Sequence, residues 1–139
     1  RERVVALTFD ACATTLQPNT FDEAIFAYLE REAIPATVFM TGRWIEAHPR
    51  EAARIAASPL VDIGNHGYAH RQMSVLGRRA LEDEIDRAEA LISSLGRKSV
   101  AVRPAFGDFD ENAAAVAAAR GLPLVLWDVV SGDAGGHLR

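Results

Sequence analysis

Apolar residues come in two rhythms along this chain. Short, nearly uninterrupted runs occupy residues 3–9, 37–40, 60–63, 99–102 and 124–127. Between them, apolar positions recur every three or four residues, the spacing that gathers side chains on one face of a helix. Residues 20–32 read as such a helix: Phe21, Ala24, Ile25, Tyr28 and Leu29 form a stripe, and Thr20 with Glu23 makes a capping box. Residues 44–57 give a second, with Pro49 accommodated in a first turn and Ala52, Ile55 and Ala56 facing inward. The most regular helix spans residues 79–95, where Leu81, Ile85, Ala88, Ile92 and Leu95 share a face, Asp83 and Arg87 lie one turn apart, and Gly96 suits the C-terminal cap. Asp110 caps an alanine-rich helix that ends before Gly121.

Strands that are apolar on both faces and alternate with helices form a parallel sheet with helices covering it. Asp10, Thr41-Gly42, Asn65-His66, Arg103 and Asp128 each follow the last apolar residue of an expected strand. In parallel sheets and barrels those ends share one rim, where active sites are built. A single Asp after a strand is ordinarily a turn or cap residue. Polar positions repeated at the same end of five successive strands point instead to one site.

Composition narrows the class. With 139 residues, 49% of them hydrophobic, the chain is sized for one domain with a real core. A net charge of -4 gives no basic footprint, so a nucleic-acid partner is not expected. No apolar run approaches the roughly 18 residues of a spanning helix, so no transmembrane segment is expected, and Arg1-Glu2-Arg3 leads into a strand rather than a signal peptide. Cys12 is the only cysteine, which rules out an internal disulfide and leaves the compartment open.

The candidate chemistry centres on Gly64-Asn65-His66-Gly67-Tyr68-Ala69-His70. Two imidazoles four residues apart converge on one face of a helical turn, or from a tight loop, and can hold a divalent metal; surface or core packing is the other role open to such a pair. A nucleotide-binding reading is disfavoured, because Asp10-Ala11-Cys12-Ala13-Thr14 lacks the glycines that let backbone approach a pyrophosphate.

Five stretches in order, Thr8-Phe9-Asp10, residues 35–42, His66-Gly67-Tyr68-Ala69-His70, Arg103-Pro104-Ala105-Phe106-Gly107 and residues 127–133, resemble the successive motifs of the polysaccharide deacetylases, carbohydrate esterase family four. The resemblance implies an α/β fold, a parallel-stranded (β/α) barrel, here distorted and incomplete with about five strands. It implies metal-dependent deacetylation of N-acetylglucosamine-containing polysaccharide or oligosaccharide, peptidoglycan or chitin-like, and a location in the periplasm, cell envelope or medium. The family's ion is a zinc-like divalent metal held by two His and an Asp, with one position open. His66 and His70 match the two His, and Asp10 matches the Asp that acts as general base. Arg103 matches the Arg that orients this base, and Phe106 stands where a backbone N–H faces the developing oxyanion. Asp133 matches the Asp that tunes the catalytic acid, a His on a later strand.

Two departures qualify what is implied. Ala11 replaces the family's Asp ligand, so Asp10 shifts to the metal, or Asn65, Cys12 or water completes the shell, and affinity should be weaker than with an intact triad. Of these, Cys12 reads first as a small buried turn residue. The acid's Leu-x-His motif is also missing, since His137 has no strand pattern before it. A (β/α) barrel typically takes about 250 residues and eight strands. The expectation is therefore a domain truncated at its C-terminus. Trp44, Tyr68 and Trp127 are candidate sugar-stacking aromatics, with core packing preferred for Trp44. The alternative function is a catalytically silent glycan-binding domain that retains the fold. An unpaired edge strand and uncovered apolar faces should promote self-association. In sedimentation velocity the average mass should rise with concentration; a monodisperse, cooperatively melting monomer contradicts this.

Overall fold

A computed structural model describes residues 4–13 and 21–132. The chain runs β1 (Thr8–Ala11), α1 (Glu23–Arg31), β2 (Ala36–Met40), α2 (Gly42–Ala47), α3 (Pro49–Ala57), β3 (Val61–Asn65), α4 (Arg78–Ser94) and α5 (Glu111–Ala118). The three strands form a parallel sheet in the order β1-β2-β3. Beyond β3 the parallel pairing continues as single bridges, Asn65 to Val102 and Val102 to Leu124. The strands expected at 99–102 and 124–127 thus shrink to one paired residue each. Pro104 and Pro123 beside them have no N–H to extend a ladder, and the Pro123 carbonyl is spent accepting from Val102 N. The first strand is also later than expected. It begins at Thr8, while Val4 and Val5 are 86% and 84% exposed.

Side-chain alternation sorts the sheet into two faces. One cross-strand row is Phe9, Val38 and Ile63, which pack on the helix side with Met40, Trp44, Ile45, Ile55 and Ile92. The next row is Asp10, Phe39 and Gly64, on the face that carries the polar rim. A second apolar cluster joins α4 and α5 through Leu81, Ile85, Val102, Ala113 and Val116.

The helices follow the expected pattern with two corrections. The segment 44–57 is two helices, because Pro49 cannot donate the bond that would continue the first and instead takes the opening position of α3. Helix α1 is capped by Asp22, whose side chain accepts from Ile25 N; Thr20 of the expected capping box lies outside the described residues. Its buried face is Phe26 and Leu29, and Ile25 and Tyr28 remain about half exposed. Phe26 makes this contact because Phe21 packs on it from one side and the Arg54 guanidinium covers it from the other. Helix α4 matches expectation: Leu81, Ile85, Ala88 and Ile92 are fully buried, each large side chain contributing about 1.5–3 kcal/mol. Asp110 caps α5 by accepting from Ala113 N at 2.9 Å.

Gly64 positions the site through what it lacks. A Cβ there would lie 2.2 Å from Phe39 Cδ1, so the Phe39 ring occupies the space a side chain would need. That ring in turn lies under the Arg103 guanidinium, 4.0 Å from its centre. Gly64→Ala should destabilise the fold by about 1–3 kcal/mol through overpacking, read as a lower urea midpoint. An unchanged midpoint would mean that the ring can move aside without cost.

Candidate functional site

The rim is held together from Arg103. The bridge at Val102 and the bond from Arg103 N to Asn65 O set its backbone beside β3, and its side chain reaches back across the sheet to β1. Nη1 donates to Asp10 Oδ1 at 2.7 Å, and Nη2 donates to Thr8 Oγ1 at 3.0 Å and to Leu126 O at 3.2 Å. Thr8 and Asp10 are two apart on one strand, so one guanidinium reads both. The carboxylate's other oxygen, Oδ2, lies 3.7 Å from His66 Nε2.

His66 is oriented by the same residue. Its Nδ1 lies 2.7 Å from Arg103 O, and a carbonyl can only accept, so Nδ1 carries the proton and Nε2 presents its lone pair to the rim. The His70 ring stands edge-on to His66 at 4.9 Å and to Phe106 at 4.7 Å. His70 and Phe106 both hold positive φ, 56° and 61°, which turns each side chain back over the site.

The loop between the two His is braced from behind. Glu84 Oε2 accepts from Tyr68 N at 3.1 Å and from Ala69 N at 3.0 Å. Glu84 is buried on the apolar face of α4, and Arg71 lies 3.9 Å from its other oxygen. Asn65, one of the possible ligands, is fully committed elsewhere: its Oδ1 accepts from Gly67 N, and its Nδ2 donates to Ile85 O and Glu89 Oε1. It is removed from the ligand set. Glu84 was the residue sequence reasoning missed, although a carboxylate within the stripe Leu81, Ile85, Ala88 was a readable signal.

The donor atoms of Cys12, His66 and His70 lie within 4.8 Å of one another, the one such group of three among the described residues. Cys12 is buried, as expected of a turn residue, yet it also faces the imidazole pair. Burial, with Asp10 nearby, pushes its thiol up to about 12. Burial pushes both imidazoles down, His70 to about 4 with His66 beside it adding to the effect. Two neutral imidazoles fit a divalent cation, which needs free nitrogen lone pairs.

Other candidates sort by exposure. Trp44 is core, 2% exposed. Tyr68 is already engaged, its hydroxyl donating to Glu46 and its face covered by Arg87. Phe106 and Trp127 remain open beside the imidazoles and Arg103. Asp128 is exposed, and Asp133 and His137 lie outside the described residues.

A parallel α/β fold with an imidazole pair, a carboxylate and a clamping arginine on one rim is the arrangement of a candidate metal-binding site. The chain belongs to the polysaccharide deacetylase family, whose model matches residues 1–125. It is 31% identical over 130 residues to the peptidoglycan-N-acetylglucosamine deacetylase of Bacillus cereus, covering 93% of this chain and 46% of that protein. A family 4 carbohydrate esterase from Streptomyces lividans, solved with acetate, superposes with a TM-score of 0.81 at 28% identity, over 95% of this chain and 66% of that one. A family pseudoenzyme from Bacillus anthracis shares the fold, with a TM-score of 0.77 at 23% identity over 88% of this chain and 42% of that one. The chain spans 35–49% of the length of the first curated relatives it matches.

The imidazole shifts carry a pH consequence for the metal-free protein. An unfolded His titrates near 6.5 and folded His70 at about 4, so between these values the unfolded state binds the extra proton. With chelator present, the urea midpoint should hold steady above 6.5 and fall as pH drops toward 4. His70→Gln should flatten that decline, and a midpoint constant over the same range in the parent chain contradicts it.

Proposed function

We propose that this chain carries the deacetylation centre of an enzyme that removes acetyl groups from N-acetylglucosamine-containing glycans such as peptidoglycan or chitin-like polymers. What most supports this is the position of Asp10, one oxygen fixed by Arg103 and the other facing the imidazole pair. His66 and His70 would hold a zinc-type ion, which when bound supplies Lewis acidity to the acetamide carbonyl. Asp10 takes the proton of the attacking water, and Arg103 keeps the carboxylate aimed while its charge offsets that of the base. The Phe106 backbone N–H donates to the oxyanion as the carbonyl carbon becomes tetrahedral. Its exposed ring, with Trp127, gives apolar faces for a sugar. Asp133 is assigned to tuning the acid that protonates the leaving amine. With a glycan of the envelope as substrate, the protein would act in the periplasm, envelope or medium.

A second reading rests on Ala11. A glycan-binding domain without turnover would keep the same rim while lacking that carboxylate.

In the full-length parent protein, acetate release from acetylated chito-oligomers should be abolished by chelator and restored by zinc. Asp10→Asn should lower kcat by about 10²–10⁴-fold with little change in KM. Chelator-insensitive release removes the metal chemistry, and glycan binding without turnover at any zinc concentration favours the silent domain.

A further inference from the structure

The family's third ligand is a carboxylate, and at that position this chain has Ala11, whose side chain packs against the apolar cluster on the helix side of the sheet. The next residue is Cys12. We infer that Cys12 supplies the missing ligand, making a Cys-His-His site for a thiophilic divalent cation; this rests on the metal-dependent reading above.

Three observations carry the assignment. First, the sulfur and the two imidazole donor atoms lie within 4.8 Å of one another. A tetrahedral ion with bonds of about 2.3 Å to sulfur and 2.0–2.1 Å to nitrogen needs separations of roughly 3.4–3.6 Å, within reach of a side-chain rotation. Second, the loop holding Cys12 is pinned on both sides by Thr41, itself fully buried. Thr41 N donates to Ala11 O at 3.0 Å, and Thr41 Oγ1 accepts from Ala13 N at 3.3 Å, so the backbone on either side of Cys12 is held by Thr41 rather than free to turn away. Third, the other donors are spoken for. Asn65 serves the loop and α4, and Asp10 has one oxygen held by Arg103 and only Oδ2 open, 3.7 Å from His66 Nε2, which suits a base beside the ion and gives the sulfur the ligand position.

Exchanging carboxylate for thiolate changes which metals the site accepts. Thiolate donors favour zinc, cobalt and cadmium and discriminate against magnesium and manganese, which prefer oxygen. The site still has three protein ligands and an open position, the arrangement found in catalytic zinc centres. Ligation takes the thiol proton to solvent and forms one metal–sulfur bond, with no change of oxidation state.

Cobalt(II) added to the purified chain tests this directly. The expected result is a thiolate-to-cobalt charge-transfer band in the near ultraviolet that is absent in Cys12→Ser. Zinc competition should show affinity falling in Cys12→Ser by more than the roughly 10–100-fold that loss of an outer-sphere partner costs. Cys12→Asp should recover binding without the band and accept manganese more readily; circular dichroism confirms that each variant is folded. Cobalt binding that needs His66 and His70 but gives no band, with unchanged affinity in Cys12→Ser, overturns the thiolate assignment and leaves the deacetylase reading standing. No binding of cobalt or zinc by the parent chain, or binding that His66→Ala leaves unaltered, overturns both.

Discussion

The arrangement depends on one buried cation. Arg103 is 3% exposed, and a guanidinium withdrawn from water is costly unless charge and hydrogen bonds replace its solvation. Asp10 provides the charge, Thr8 and the Leu126 carbonyl provide acceptors, and the faces of Phe39 and Trp127 provide the flanking surface. The partners come from three parts of the chain: β1, β2 and the segment at 126–127. The pair therefore ties β1 to the segment after β3, where regular pairing has dwindled to single bridges, and does by side chain what the ladder no longer does by backbone. It follows that replacing the Asp10 carboxylate also leaves Arg103 short of its counter-charge.

The imidazoles are held by different means. His66 is locked through its ring proton to a backbone carbonyl, whereas His70 is aimed by backbone conformation and by Glu84 holding the amides of Tyr68 and Ala69. Both devices act from behind the site and leave the donor nitrogens unencumbered. This division suits a metal centre, because a ligand oriented by its own backbone or by a neighbour's carbonyl does not have to be reorganised when the ion enters.

Much of this was readable in the sequence, and the parts that were not have physical causes. Helix α4 and the rim positions of Asp10, Thr41, His66 and Arg103 follow from periodicity and strand ends, because burial on the helix side dictates them. The fourth and fifth strands were misjudged because apolar runs register burial, not pairing, and Pro104 and Pro123 interrupt the ladder. Glu84 escaped notice because its partners are backbone amides, which leave no trace in residue identity. The face of α1 was rotated because Phe26 joins the core cluster with Trp44 and Ile45 and lies under Arg54, contacts that no helical period in that segment reveals.

The substitution at the heart of the rim is best understood through geometry rather than loss. Along β1 the faces alternate, so Asp10 points to the rim and Ala11 to the helix-side core. Cys12 continues the alternation on the rim side, and Thr41 prevents the loop from relaxing out of it. There its sulfur lies within 4.8 Å of the two imidazole donors. Under the ligation inferred above, a soft ligand there would keep the charge a carboxylate supplies and would leave Asp10 free for proton transfer, with a narrower choice of metal.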